Sequence, residues 1–97
     1  MVRIETIKKT LEKHKQELKA TYKVKDIGIF GSYVRREAKK KSDIDILVEF
    51  EDAIDFFDFL ELEEHLSKIL NIKVDLVMKR VLKPAIGESI MREVIYV

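Results

Sequence analysis

From Asp43 to Phe50 the chain reads Asp-Ile-Asp-Ile-Leu-Val-Glu-Phe, and the strand it predicts, Ile44 to Phe50, sorts the side chains by chemistry. Side chains alternate across a pleated backbone, so Ile44, Ile46, Val48 and Phe50 point one way while Asp43, Asp45, Leu47 and Glu49 point the other. One face of the sheet then demands an apolar cover, and the other carries acids.

The flanking sequence supplies that cover. Ile4, Ile7, Leu11 and Leu18 recur at helical spacing among Lys and Glu, which predicts a helix from about Arg3 to Tyr22 with one buried stripe. The apolar run Ile27 to Phe30, stopped by Gly31 and Ser32, predicts a buried strand and a turn. Asp55 is placed to cap a helix bearing Phe59, Leu62, Leu66, Ile69 and Leu70, and Asn71 to end it. Lys73 to Met78 reads as a third strand, Pro84 opens a short helix to about Glu93, and Val94 to Val97 can close the sheet. The order implies an α+β protein, a small mixed β-sheet with helices packed on one face.

With 97 residues and no Gly-, Pro- or Ser-rich linker, residues 1–97 read as a single domain. Hydrophobic residues are 46% and charged residues 38%, a balance that favours a folded chain over a disordered one. Lys plus Arg number 19 against 18 Asp plus Glu, so there is no strong positive field for nonspecific nucleic-acid binding. The absence of cysteine excludes disulfides, thiolate metal sites and a Cys nucleophile. No apolar run approaches the roughly 20 residues of a membrane span, and MVRIETIKK lacks the apolar core of a signal peptide. The expectation is a cytoplasmic protein.

The acids carry the chemistry. Asp43 and Asp45 emerge on one face of a strand and can converge on one cation. Like charges that close repel unless something positive lies between them, and hard oxygen ligands select magnesium or manganese. Asp75 lies between Val74 and Leu76, where an unpaired buried charge would be costly, and becomes a third ligand if its strand neighbours the second. Three carboxylates can hold two ions for phosphoryl transfer, with no protein nucleophile required. Gly31 lets backbone approach a ligand, and the amides after it, with the Ser32 hydroxyl, can point at phosphate oxygens. Each piece alone also fits a plainer reading: a turn residue, a solvated strand residue, an edge-strand charge and a capped turn.

Taken together, Gly31-Ser32, ten further residues and then Asp43-Ile44-Asp45 resemble the signature of the polymerase-beta-like nucleotidyltransferase superfamily. The stretches IFGSYVRREAKKKSDIDILVEF, VDLV and LKPAIGESIMREVIYV are similar, almost end to end, to its smallest branch, the minimal nucleotidyltransferase or MNT domain. The resemblance implies the polymerase-beta-like nucleotidyltransferase fold. It assigns Asp43, Asp45 and Asp75 as catalytic metal ligands for two magnesium ions, with Asp75 also helping to activate the acceptor hydroxyl. Gly31, Ser32 and Arg35 become the contacts to the triphosphate of ATP.

Members of this branch often stand beside a HEPN-family toxin and act as its antitoxin, moving AMP from ATP to a toxin tyrosine. The resemblance thus implies a protein adenylyltransferase with a HEPN partner. A non-catalytic antitoxin that neutralises its partner by binding is the alternative, although none of the three acids is missing. Addition of nucleotides to RNA ranks last, because no separate RNA-binding segment exists. An exposed sheet edge gives a further expectation, a homodimer.

Arg36 departs from the pattern: relatives usually carry glycine there, which leaves either a crowded turn or an extra phosphate contact. Lys39, Lys40 and Lys41 fit a solvated loop, or a guide for a triphosphate. His14 and His65 lack a second ligand at metal spacing and read as surface residues. Tyr33, beside the turn, is the best of three tyrosines for stacking on a base. Phe56, Phe57 and Phe59 read mostly as core, otherwise as a partner-facing patch.

Overall fold

The computed structural model describes residues 3–97. Helix α1 (Ile4–Tyr22) leads into strand β1 (Val24–Phe30), a single 3₁₀ turn (Gly31–Tyr33) and strand β2 (Ile44–Phe50). Helix α2 (Phe56–Leu70), strand β3 (Val74–Met78), a second 3₁₀ turn (Lys79–Val81), helix α3 (Pro84–Glu93) and strand β4 (Ile95–Tyr96) complete the order. The strands lie in the order β3-β2-β1-β4, with β2 parallel to β3 and the other two pairings antiparallel.

The local signals explain most boundaries. The Asp55 side chain accepts the Asp58 N–H at 2.8 Å, satisfying one free amide of the first turn of α2, and Asn71 ends that helix in the left-handed region at φ 55°. Helix α1 stops the same way at Lys23, φ 59°, without the glycine or asparagine that would have announced it. Strand β1 starts at Val24 rather than Ile27, because a register shift between Val24 and Asp26 lets the polar Lys25-Asp26 step remain exposed while Val24 reaches the core.

The two long helices cover one face of the sheet. Ile7, Leu11 and Leu18 of α1 and Leu62 and Leu66 of α2 pack with Ile27, Ile29, Ile44, Ile46 and Val48, all of them essentially inaccessible to solvent. Each fully buried aliphatic side chain is worth about 1.5 to 3 kcal/mol, so this interface helps to hold the acid-bearing strands in register. His65 links the helices by a 2.6 Å contact from Nε2 to Glu17 Oε1, and His14 bonds the Thr10 carbonyl, in keeping with surface roles.

The opposite face carries the acids, together with a smaller apolar patch. Leu47, expected on the acid side, is buried there, and Phe30 is 8% exposed. Gly28 sits opposite Leu47, and a Cβ on it would meet Val94 Cγ2 at 2.7 Å, so the missing side chain makes room for the segment entering β4. The short helix α3 adds nothing to the main core; Ile86, Ser89, Ile90 and Glu93 instead line a cleft with Phe30, Gly31 and Asp45.

Two expectations change. Tyr33 is 7% exposed and belongs to the core, so it offers no stacking platform. Of the phenylalanines, Phe59 packs against the core while Phe56 and Phe57 are 67% and 79% exposed, which makes them surface rather than core. The outer edge of β3 is partly covered. The amides of Val74 and Leu76 are already taken by Ser67 Oγ at 3.0 Å and Glu63 Oε2 at 2.8 Å. Among the described residues no helix is long and apolar enough to cross a membrane.

Candidate active site

Parallel pairing of β2 with β3 sets Asp45 directly opposite Asp75. Opposed residues in neighbouring strands point to the same face, about 4.8 Å apart, so the third acid stands beside the second rather than across the sheet. Antiparallel pairing of β1 with β2 brings Phe30 opposite Asp45, and the chain turns immediately afterwards at Gly31. The turn and the acids meet because three strands are in one register.

Gly31 is needed there for two reasons. Its φ of +81° lies in the left-handed region, and a Cβ on it would overlap Asp45 Oδ2, with Asp45 Cγ only 2.9 Å away. The Asp45 carboxylate therefore lies against bare backbone. The turn continues through hydrogen bonds from the Val34 and Arg35 amides to the Gly31 carbonyl, at 3.0 and 3.1 Å, and from the Glu37 amide to the Ser32 carbonyl at 2.8 Å. Ser32 is half-buried, and its hydroxyl makes no hydrogen bond among the described residues.

The electrostatics of the cluster are strained. Asp45 is pushed up to about 6 from the ordinary 3.8, first by burial, then by the charge of Asp75 and a hydrogen bond that a proton held between the two can make, then by Asp43. Arg35 offsets only part of this. Asp75 is exposed on its strand, and Asp43, at the mouth of β2, lies 4.0 Å from Lys73 Nζ. Among the described residues no three acids are gathered tightly enough to form a finished metal cage. Asp43 has Lys73 as its nearest cation, while Asp45 and Asp75 face each other across the strand pair. Hard carboxylate oxygens on one face of the sheet fit magnesium or manganese.

One participant has no counterpart in the sequence reading. Glu93, at the end of α3, accepts the Gly31 N–H through Oε2 at 2.5 Å. It also receives Arg35 Nη1 on both oxygens, at 3.0 and 3.1 Å. Arg35 is further tied to Glu37 at 3.2 Å, and together these partners raise its pKa above the ordinary value, the Glu37 hydrogen bond first. Glu93 lies 62 residues from Gly31, and nothing in α3 distinguishes it from Glu88, so only the fold reveals the contact.

Arg36 explains its own oddity. Its φ of 61° is left-handed, the conformation that favours glycine, so arginine stands where glycine fits with less strain. Lys39 to Lys41 are exposed in a loop closed by Ser42, whose Oγ accepts the Lys39 amide at 2.8 Å. The cleft lined by Gly31, Arg35, Asp45 and Glu93 measures about 420 Å³, inside the range of roughly 300 to 1,000 Å³ typical of small-ligand sites, and of the three aspartates only Asp45 lines it.

A glycine turn and paired strand acids lie together on one side of the α+β sheet, and comparisons with known proteins give the family. Residues 11–97 match the nucleotidyltransferase domain family, to which the chain belongs. It is 50% identical over 97 residues to protein adenylyltransferase MntA of Thermococcus cleftensis, covering 100% of this chain and 98% of that one. It superposes on a solved minimal nucleotidyltransferase structure with TM-score 0.81 and 34% identity, over 97% of this chain and 95% of the other. A further match, with TM-score 0.68 and 26% identity over 93% of this chain and 70% of the other, is to a structure of tri-AMPylated Shewanella oneidensis HEPN toxin in complex with MNT antitoxin.

Proposed function

We propose that the protein is a magnesium-dependent protein adenylyltransferase that moves AMP from ATP to a tyrosine hydroxyl of a HEPN toxin and so acts as its antitoxin. The observation that carries this reading is the register pairing of Asp45 with Asp75 beside a turn whose glycine the Asp45 carboxylate requires. The name of the Thermococcus cleftensis relative and the AMPylated toxin found with an MNT antitoxin support the choice of AMP and of partner.

Asp43, Asp45 and Asp75 are the residues proposed to hold two magnesium ions, and such ions, when bound, neutralise triphosphate charge and lower the pKa of an attacking hydroxyl. Gly31, Ser32 and Arg35 hold the triphosphate, the first two through backbone and hydroxyl donors and Arg35 through its guanidinium fork. The tyrosine oxygen bonds to the α-phosphorus, the bond from that phosphorus to the bridging oxygen breaks, and pyrophosphate leaves. Asp75, on the open side of the pair, takes the proton that the tyrosine gives up. Such chemistry asks the chain only to position groups and stabilise charge.

The test uses the protein, its HEPN partner, magnesium and ATP labelled at the α-phosphate. Label is expected on a toxin tyrosine, absent when that tyrosine is replaced by phenylalanine and absent with Asp45→Ala. Undiminished labelling by Asp45→Ala overturns the proposal. Full toxin neutralisation by an unlabelling Asp45→Ala protein favours a masking antitoxin instead.

A further inference from the structure

Glu93 occupies the donors that the proposed function assigns to a triphosphate. A carboxylate and a phosphate present the same thing to a protein, anionic oxygens seeking N–H groups, and both prefer a backbone amide with a guanidinium fork. Here the Gly31 amide and Arg35 Nη1 converge on Glu93, whose side chain is 23% exposed against 47% for Arg35. The arrangement is costly in charge. It sets a fourth carboxylate beside the turn that Asp45 already crowds, compensated by one arginine and one amide.

The tether is also built to release. Helix α3 buries no residue in the main core, and β4 is held to β1 by a short ladder at Gly28 and Ile29 plus the Val97 amide on the Ile27 carbonyl at 2.9 Å. Val94, between Glu93 and β4, is extended and breaks the helix there. The Glu93 end of α3 can therefore swing without disturbing the α1 and α2 packing.

We propose that Glu93 is an internal stand-in for the nucleotide's phosphates: it fills the Gly31 and Arg35 cradle in the resting protein, and the triphosphate must displace it to bind. The proposal rests on the nucleotidyltransferase reading above. It makes Glu93 a residue that sets nucleotide affinity, and it couples nucleotide binding to movement of the C-terminal end of α3. After pyrophosphate departs, Glu93 returns to the cradle and restores the resting state.

The test compares wild type with Glu93→Gln, which keeps an acceptor oxygen for Gly31 but loses the charge, and with Glu88→Gln, a control on the exposed Arg92 pair of the same helix. AMP-PNP with magnesium is titrated calorimetrically, and the Gly31 amide is followed by NMR. Glu93→Gln is expected to bind about tenfold more tightly, because apparent affinity falls with the fraction of molecules whose cradle is open. Glu88→Gln is expected to match wild type. The wild-type Gly31 amide proton is expected far downfield, moving upfield in Glu93→Gln, and in the wild type shifting again on saturation with AMP-PNP as phosphate oxygens replace the carboxylate. Equal or weaker binding by Glu93→Gln overturns the proposal alone, since Glu93 would then be a prop for the turn. Absence of binding by all three proteins overturns the nucleotide reading itself, and the competition with it.

Discussion

Replacing Asp45 by asparagine is expected to stabilise the metal-free protein while abolishing its chemistry. Asp45 is held near pKa 6 instead of 3.8. Between those values the native state binds a proton that the unfolded chain has released, so stability falls as pH rises through that window and stays low above it. At about 1.4 kcal/mol per pH unit, the full difference is about 3 kcal/mol. The carboxyl is only partly buried, and solvent screening reduces this to roughly 1.5 kcal/mol. For a domain of this size each kcal/mol moves Tm by about 4 to 8 °C, so Asp45→Asn is expected to melt about 6 to 12 °C higher at pH 8 with chelator present. At pH 4 most of the gain is expected to vanish, because wild-type Asp45 is then protonated in the native state. Thermal melts of both proteins at the two pH values measure this. An equal Tm at pH 8, or a gain that persists undiminished at pH 4, would refute the idea that repulsion and burial burden this acid.

Magnesium is expected to raise the wild-type Tm, with about 1.4 kcal/mol gained at ten times the dissociation constant, and to leave Asp45→Asn nearly unmoved in the same melts. Gly31→Ala combines a left-handed φ with overlap on Asp45 Oδ2 and is expected to lose about 2 to 4 kcal/mol in urea denaturation and all nucleotide binding. Arg36→Gly removes a left-handed arginine and is expected to gain about 0.5 to 1 kcal/mol by the same measurement, without loss of labelling activity.

Much of the site was legible because strand alternation and motif spacing are local properties. The bounds of β2 and α3 agree with the sequence reading, and Asp55 and Asn71 act as the caps their side chains suit. The proximity of Asp75 was less accessible: period-two alternation gives its face, but only the β2 and β3 register places it against Asp45. Lys23 ends α1 in a conformation its residue type disfavours, and no local signal marks that. Tyr33 looked available because it follows the turn, yet the 3₁₀ geometry rotates it into the core. Phe56 and Phe57 looked like core because they are aromatic, yet they fall on the outer side of the first turn of α2. Glu93 was invisible for a different reason. Its importance comes from a contact between the chain's end and its first turn, and no periodicity encodes such a contact.

Paramagnetic broadening by manganese addresses the metal site most directly, since the ion replaces magnesium and reports distance through the amide resonances around it. Substoichiometric manganese added to the isotope-labelled protein is expected to erase the amides of Gly31, Asp43, Asp45 and Asp75 first, and to leave them sharp in Asp45→Asn. Broadening centred on the acids of α2 or of the Glu51-Asp52 turn, with the β2 and β3 amides untouched, would contradict a metal site built from Asp43, Asp45 and Asp75.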